Sequence, residues 1–352
     1  MCRVRFSERP AGAFPSGSSN GLRHRPHQIL HHCDDVPKNE SITQSRERKT
    51  RESLLWVKGT SHLPADFQLI DVCDQGSDSF EFLEHEVHSG RRFVLRACKV
   101  RKVFAGHEAT GEKMYLKDYV QSLPELGRFH MDVQLQKGRK ARKQAECSMR
   151  SGPVLICPPH AKHGLHGDDP LPMFVVLITE VNPPAGEKPV EWMLLTNERA
   201  ATFNAAWRVT EWYEKRWIIE ELHKAKKTGC RTEDMQFTTT ARLEPAIALL
   251  SVVAVTLLNL RDASRRPDAK TRRATDLLSP DYVTMLSRWR YRKSKPLSVH
   301  EFYQALARLG GHQNRKSDHH PGWIVLWRGW TKLQSMIHGF DIAKLLNKCG
   351  KT

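Results

Sequence analysis

The sequence has no closely spaced pair of cysteines. Its eight cysteines, at positions 2, 33, 73, 98, 147, 157, 230 and 349, are irregularly spaced, and none belongs to a CxxC motif. Disulfide frameworks and cysteine-rich zinc sites need closer, paired spacing. The sequence therefore favours reduced thiols and disfavours a structural zinc.

Long apolar runs are also absent by inspection, since none reaches the roughly 18 residues of a membrane span. The most apolar stretch, Ala246 to Leu260, is interrupted by Ser251, Thr256 and Asn259 and predicts a buried helix. The N-terminus lacks the apolar segment of a secretory signal. We expect a cytoplasmic protein without a membrane partner.

Acidic residues are few relative to basic ones. The 352 residues include 56 Lys and Arg against 39 Asp and Glu, which gives a net charge of +17. Such a field attracts polyanions, and neutralising phosphates releases counterions. Composition thus slightly favours nucleic acid over the alternative, a basic but merely solvated surface. The length allows two domains.

The first half of the chain predicts an α/β arrangement. Residues 1–26 are rich in Gly, Ser, Pro and Arg and predict a disordered leader. Strands are expected at Phe67 to Cys73 and Arg92 to Arg96, with a helix at Phe80 to Val87 between them. This βαβ-like unit would place ligand sites at the carboxyl ends of its strands.

The remainder changes from strands to helices. The strands expected between residues 100 and 196 are Phe129 to Leu135, Pro153 to Cys157, Met173 to Val181 and Glu191 to Thr196. One uninterrupted helix is predicted over Ala200 to Lys227, ending at Gly229. The later helices are expected at Pro245 to Arg261, Pro280 to Tyr291, Val299 to Leu309 and Trp323 to Leu346, so the C-terminal third is all-α.

Asp74 follows the first of these strands directly, with Gly76 and Asp78 close behind it. A carboxylate at the carboxyl end of a strand is suited to bind a divalent cation. The structural alternative is a helix N-cap, a role for which Asp is preferred.

The strongest segment is the helix Trp212 to Lys227. Tyr213, Arg216 and Glu220 are spaced i, i+3 and i+7, which places them on one helical face that Lys227 extends. This stripe would normally be apolar, so a carboxylate flanked by cations indicates a site that handles phosphate. A solvated face is the alternative.

The spacing Tyr-x2-Arg-x3-Glu-x6-Lys resembles the YREK signature of bacterial cut-and-paste DDE transposases of the insertion-sequence-four family. Val72-Cys-Asp-Gln-Gly-Ser-Asp78 resembles the family's second-carboxylate segment, and Leu306 to Gly311 with Trp323 to Trp330 resembles its C-terminal region. The resemblance extends from about His27 to the end of the chain.

This resemblance implies a ribonuclease H-like catalytic core with a β-rich insertion and an all-α C-terminal region. The expected organisation is a leader at 1–26, the first part of the core at 27–99 and the insertion at 100–196. The helix with the YREK motif then lies within 197–240, and the α-helical C-terminal region covers 241–352.

The resemblance also implies the roles of individual residues. Asp74 and Glu220 would be catalytic and would bind metal, in a two-ion Mg²⁺ or Mn²⁺ site for phosphoryl transfer at transposon ends. The residues implied to contact double-stranded DNA are Arg96, Trp192, Tyr213, Arg216 and Lys227. Trp192 would stack on a flipped base, or else fill the core of a strand.

The family's first catalytic Asp has no counterpart in this chain, because the strand that carries it would precede the matched region. Asp34 and Asp35 are the nearest upstream acids, and we expect them in a loop after the matched strand. We therefore expect an N-terminally truncated, catalytically defective copy, with residues 1–26 from a frameshifted or displaced start.

Three further features carry alternatives. His160, His163 and His166, with Asp168 and Asp169, contain the residue types of a zinc site, although loop histidines are usually exposed. The basic turn from Gly138 to Lys143 would contact DNA phosphates or be solvated. The tryptophans at 323, 327 and 330 share a helical face that suits core packing or a dimer interface.

Two functions are therefore expected to compete. The first is a DNA transposase by descent, in the bacterial cytoplasm with the nucleoid. The second is a non-catalytic protein that binds DNA or dimerises through the C-terminal helices and inhibits intact transposase. A ribonuclease H-like nuclease with an unrelated role would need a replacement carboxylate upstream.

Overall fold

A computed structural model describes residues 2–5, 52–61, 69–133, 140–159, 166–315 and 318–349. The chain divides into two compact units, and the division falls between Ile218 and Ile219. Most of the expected leader, the first two residues of the basic turn, His160 and His163 lie outside the described residues, so the predictions made for them stay predictions.

Unit 1 contains one mixed sheet of nine strands. The strands are β1 (Cys2–Arg5), β2 (Leu69–Cys73), β3 (Arg92–Arg96), β4 (Lys102–Ala105), β5 (Met114–Tyr115), β6 (Glu125–Val133), β7 (Arg142–Ile156), β8 (Leu171–Glu180) and β9 (Glu191–Thr196). Their order is β1-β2-β3-β9-β8-β7-β4-β5, and β6 pairs with β7.

The βαβ unit predicted from the sequence is confirmed. β2 and β3 pair in parallel, with Ile70 opposite Arg92 and Cys73 opposite Leu95, and helix α2 (Phe80–His88) connects them. Their carboxyl ends therefore meet at one edge of the sheet, where Asp74 and Arg96 lie. The expected strands after residue 100 are also present, and they continue the same sheet through the β3–β9 pair.

The alternation of side chains along β2 gives each face of the sheet its own core. Ile70 and Val72 pack with residues of helix α4 (Phe203–Glu214), including Val209. Cys73 packs on the other face with Phe82 and Leu83 of α2, and α3 (Leu116–Ser122) covers the same face. Helix α1 (Glu52–Ser61) lies between β1 and β2 in the chain. Unit 1 is thus a mixed α/β structure with helices on both faces.

The expectation of a wholly disordered leader is wrong for residues 2–5. These residues form β1, which pairs antiparallel with β2. Cys2 and Val4 alternate with Arg3 and Arg5, but this alternation is only four residues long and precedes a segment rich in Gly, Ser and Pro, so it did not predict a strand; the pairing with β2 defines it.

Unit 2 is helical, as expected for the C-terminal third. Its helices after residue 239 are α6 (Thr240–Ser264), α7 (Pro280–Tyr291), α8 (Val299–Leu309) and α9 (Trp323–Cys349). α8 begins with a capping box between Ser298 and Glu301. Trp323 and Trp330 are buried in the core of this unit, which confirms core packing for two of the three tryptophans of the aromatic stripe.

The prediction of one uninterrupted helix over Ala200 to Lys227 is wrong. Helix α4 ends at Glu214, and a new helix, α5 (Trp217–Lys224), follows and leads into a π-helical turn at Ala225–Gly229. At the break the amide of Arg216 bonds to the carbonyl of Tyr213, an i−3 pattern that tightens the last turn. No Gly or Pro marks this break, so helix propensity did not reveal it.

The prediction that Ala246 to Leu260 is a buried helix is only half right. Ala254 and Leu257 of α6 are buried, whereas Leu249, Val252 and Val255 are 68%, 64% and 41% exposed. Among the described residues, α6 is also the one helix long and apolar enough to cross a membrane by length and composition. The expectation that no segment meets that criterion is therefore wrong, although core helices of soluble proteins meet it too.

Candidate nucleic-acid interface

Asp74 lies at the carboxyl end of β2, as the sequence predicted. Its Oδ1 accepts a hydrogen bond of 2.9 Å from the amide of Gly76, and the residue caps a short 3₁₀ turn, Gln75–Ser77. The capping role that the sequence left as an alternative is thus present. A carboxylate that accepts one amide hydrogen bond keeps further lone pairs, so the capping role and the binding of a cation do not exclude each other.

Asp78 has a structural role that the sequence did not indicate. The carboxylate is 1% exposed and accepts hydrogen bonds of 2.7 and 2.8 Å from the amides of Cys98 and Lys99. It also pairs with the guanidinium of Arg101, which is itself buried. These contacts fix the loop that follows β3 against the turn that follows β2.

The fixed loop borders a cavity of about 310 Å³ at the carboxyl end of β3. Arg96, Lys99, Arg101 and Lys117 line it, together with Glu191. The lining therefore contains four cations and one acid, and Lys117 lies 2.9 Å from the Glu191 carboxylate. Because Arg101 pairs with Asp78 and Lys117 with Glu191, the cations of this lining that these two acids leave for a negatively charged group are Arg96 and Lys99.

Four of the predicted DNA-contacting residues come together beside this cavity. The rings of Trp192 and Tyr213 are in edge contact, with centroids 5.5 Å apart. The guanidiniums of Arg96 and Arg216 lie close enough to the Tyr213 hydroxyl to lower its pKa. Arg96 donates a hydrogen bond of 3.0 Å to the backbone carbonyl of Glu191. Residues 96, 192, 213 and 216 are hereafter called the arginine–aromatic cluster.

The electrostatics of the cluster depend on the burial of Tyr213, which is 5% exposed. Burial raises the pKa of Tyr213, while the positive charges of Arg96 and Arg216 lower it in part. The hydroxyl therefore stays neutral at physiological pH. The two guanidiniums beside it carry N–H groups that can donate hydrogen bonds to an external anion.

The helix break at residues 215 and 216 positions Arg216. Its guanidinium carbon lies 5.7 Å from the ring centroid of Trp217, which is 47% exposed. Trp192 is half-buried and packs against the same core as Tyr213. Part of its surface stays accessible, so core packing and contact with an external base do not exclude each other.

Glu220 and Lys227 are in unit 2, apart from the other predicted site residues. Glu220 is exposed in the first turn of α5. Lys227 lies in the π-helical turn and pairs with Glu233 at 2.8 Å, where both side chains are exposed. The motif of four residues is therefore divided, with Tyr213 and Arg216 in unit 1 and Glu220 and Lys227 in unit 2. The single-face argument made from the spacing does not apply to this interrupted helix.

The described residues fit a metal site poorly. They include no group of three or more His, Cys, Asp or Glu side chains positioned to hold a metal ion. His166 packs its ring against Phe80 at 5.0 Å. Asp74 and Glu220 offer two carboxylates, whereas a two-ion site usually needs three.

Arg142 belongs to the predicted basic turn, and its charge is already neutralised. It pairs with the buried Glu180 and with Glu187, the latter at 2.7 Å. Contact with DNA phosphates would require these ion pairs to break, so Arg142 is stabilising within unit 1 instead.

The sequence analysis also missed a pair of buried acids, one in β2 and one in α2. Asp71 is 1% exposed and Glu86 is fully buried. Burial first, and then the negative charge of Asp71, raises the pKa of Glu86 to about 8. The signal in the sequence was a charged residue at an inward position of the strand Phe67 to Cys73.

No protein-family model matches this chain.

Proposed function

We propose that this chain is a DNA-binding protein descended from a DDE transposase of the YREK type, with unit 1 derived from a ribonuclease H-like core. The observation that carries the proposal is the arginine–aromatic cluster. Its four residues are those that the family resemblance implies at the transposon end, and they contact one another around Tyr213.

The chemistry of the cluster suits the backbone of double-stranded DNA. Guanidiniums bind phosphate oxygens through two parallel hydrogen bonds, and the guanidiniums of Arg96 and Arg216 both lie near the Tyr213 hydroxyl. Trp192 supplies an aromatic face on which an unpaired base can stack. The net charge of +17 supports association with a polyanion.

We further propose that the 352-residue chain does not cleave DNA by itself. When bound, divalent cations would activate the nucleophile and stabilise the leaving oxygen, and Asp74 and Glu220 would be the residues of this chain that hold them. Two carboxylates, one of which caps a turn, form an incomplete donor set. No catalytic step is therefore assigned to these residues.

DNA binding is tested with Arg96→Gln combined with Arg216→Gln. The matched control combines Arg199→Gln with Arg208→Gln, two exposed arginines of unit 1. Fluorescence anisotropy with a labelled duplex should show a loss of about sixty-fold at about 0.1 M salt, because each phosphate contact contributes a salt slope of about 0.9. The control should change little, and equal losses in both variants would refute the assignment.

Cleavage is tested by incubating the purified chain with a supercoiled plasmid that carries candidate transposon ends, with Mg²⁺ or Mn²⁺. We expect neither nicks nor hairpin ends. If nicking is observed and is lost in Glu220→Gln, the proposal that the chain does not cleave is wrong and the enzyme alternative is favoured.

A second candidate function is inhibition of an intact transposase through a homodimer-like contact of the C-terminal helices. The observation that favours it is the end of α9, where Phe340, Ile342, Leu345 and Leu346 are 40% to 67% exposed. A second copy of this helix would bury that apolar surface.

This candidate is tested by co-expressing the chain with an intact relative and measuring excision. Suppression that is lost in Leu345→Ser with Leu346→Ser would favour the inhibitor, whereas unchanged excision would exclude it. Ile324→Ser, on an exposed position near the start of α9, is the matched control.

A further inference from the structure

Unit 2 contains a dense group of cations that the YREK motif does not include. Between residues 265 and 301 there are ten Lys and Arg against four Asp and Glu. Five of the cations lie within the eight residues Arg288-Trp-Arg-Tyr-Arg-Lys-Ser-Lys295, which contain no acid. Positive charge is thus locally dense at the end of α7.

Most of these charges are available to an external partner. Arg288, Arg290, Arg292 and Lys293 are exposed. In the part of the chain that the structure describes, the ion pair within this segment is that of Lys295 with Glu301, at 2.8 Å. The four exposed cations, hereafter the α7 knuckle, are therefore not neutralised by that acid.

The backbone of the α7 knuckle is held in place. Ser287 is fully buried, and its hydroxyl donates to the carbonyl of Lys293 and accepts from the amide of Lys295, both at 3.0 Å. Arg292 ends the helix in the left-handed conformation, with its amide bonded to the carbonyl of Arg288. Arg288 and Arg292 thus lie one turn apart on a fixed backbone, so little chain entropy is lost on binding.

The aromatic side chains between the cations strengthen this arrangement. Tyr291 is half-buried against the core of unit 2, and the Lys295 ammonium lies 4.1 Å from its ring centroid. The Arg290 guanidinium lies 5.6 Å from the same ring. Trp289 also packs against the core. These rings support the cations instead of projecting outward.

A second basic segment lies beside the residues that follow the α7 knuckle. The amide of Ala274 bonds to the carbonyl of Leu297, and the amide of Val299 bonds to the carbonyl of Arg272, both at 2.9 Å. Arg273 forms an isolated β-bridge with Ser298. Arg272 and Arg273 therefore extend the basic surface.

We infer that the α7 knuckle and Arg272–Arg273 form a binding surface for the phosphate backbone of duplex DNA, separate from the arginine–aromatic cluster. Arginine supplies five of the six exposed or half-exposed cations, and its planar fork suits phosphate oxygens. An anionic membrane is disfavoured because the aromatic residues that would insert pack against the core. The inference does not rest on the proposed function, since it requires no transposon end and no metal.

The test compares two sets of four substitutions in the full-length chain. The test variant changes Arg288, Arg290, Arg292 and Lys293 to Gln, and the control changes four exposed arginines of the same unit, Arg242, Arg308, Arg315 and Arg328, to Gln. Both sets remove the same net charge, so general electrostatic attraction changes equally. Circular dichroism and thermal melting check that both variants fold.

The measurement is fluorescence anisotropy with a labelled duplex of random sequence over a series of salt concentrations. The test variant should lose at least about sixty-fold in affinity at about 0.1 M salt, and its salt slope should fall by about two or more, since each lost phosphate contact removes about 0.9. A variant with lysine at positions 288, 290 and 292 should retain most of the slope.

Several outcomes would overturn the inference. Equal losses in test and control variants would show that only net charge matters. Tighter binding of single strands than of duplex, or a larger loss of binding to phosphatidylglycerol vesicles than to duplex, would assign the surface to another partner. Loss of binding in the Arg96 and Arg216 variant, with none in the α7 knuckle variant, would support the proposed function and contradict this inference.

Discussion

The buried acid Glu86 predicts an unusual dependence of stability on pH. Both of its carboxylate oxygens are buried, and the side chains of Thr60 and Asp71 lie near them. Burial, reinforced by the charge of Asp71, raises the pKa of Glu86 from 4.5 to about 8. In the unfolded chain the side chain would ionise near its ordinary pKa.

The sign follows from this difference in pKa. Below the unfolded pKa the side chain is protonated in both states and costs nothing, and above the folded pKa it must be buried as a charge. Between them, each pH unit removes about 1.4 kcal/mol of stability. From about pH 5.5 to about pH 7.5 the loss that Glu86 causes is therefore about 3 kcal/mol.

Glu86→Gln tests this magnitude, because the amide has a similar shape and does not ionise. Urea unfolding, followed by tryptophan fluorescence and far-UV circular dichroism, should show that the variant gains about 3 kcal/mol over the natural chain between these two pH values. Glu108→Gln, at an exposed position of the same unit, should show no such gain. A Glu86→Gln advantage that does not change with pH would refute the reasoning.

Two further substitutions probe close contacts. Gly329→Ala should destabilise unit 2 or prevent its folding, because the new Cβ would lie 2.2 Å from a backbone carbonyl oxygen of α8, whereas Gly339→Ala has open space and should be tolerated in thermal melts. Asp78→Asn should lower stability by about 3 kcal/mol, since it leaves the buried Arg101 without its counter-charge. Asp118→Asn, at an exposed site, should change the free energy of unfolding little in a urea titration. Equal losses of stability in Asp78→Asn and Asp118→Asn would contradict the structural role of Asp78.

Much of the fold could be predicted from the sequence because strong local patterns agreed with the tertiary packing. The strand Arg92–Arg96 and the helices Pro280–Tyr291 and Val299–Leu309 have the expected limits. Capping residues or Pro at the first helical position marked these helices, and a short run of apolar β-forming residues, Phe93 to Leu95, marked the strand.

The errors arose where tertiary contacts overrode local propensity. The break after Glu214 has no Gly or Pro, and hydrogen bonds at Lys215 and Arg216 define it. The exposed face of α6 could not be inferred from the sequence. When every face of a helix is apolar, the pattern does not show which face packs against the rest of the protein.

The candidate site shows the same division between local and tertiary information. Spacing and resemblance identified Arg96, Trp192, Tyr213 and Arg216, and the structure brings these four together. Spacing alone placed Glu220 on the same helical face as Tyr213. That argument required a continuous helix, and the helix is interrupted between Glu214 and Trp217. The sequence did not reveal the structural role of Asp78. An acid that fixes a loop by buried hydrogen bonds and an acid that binds a metal look the same in sequence.

The central claim is that the arginine–aromatic cluster contacts DNA. The most direct measurement is photo-crosslinking of the natural chain to a duplex that carries bromodeoxyuridine, followed by mass spectrometry of the peptides. The account predicts adducts on the peptides that contain Trp192 or Tyr213, and competition by unlabelled duplex should remove them. Adducts confined to other peptides under conditions of full binding would contradict it.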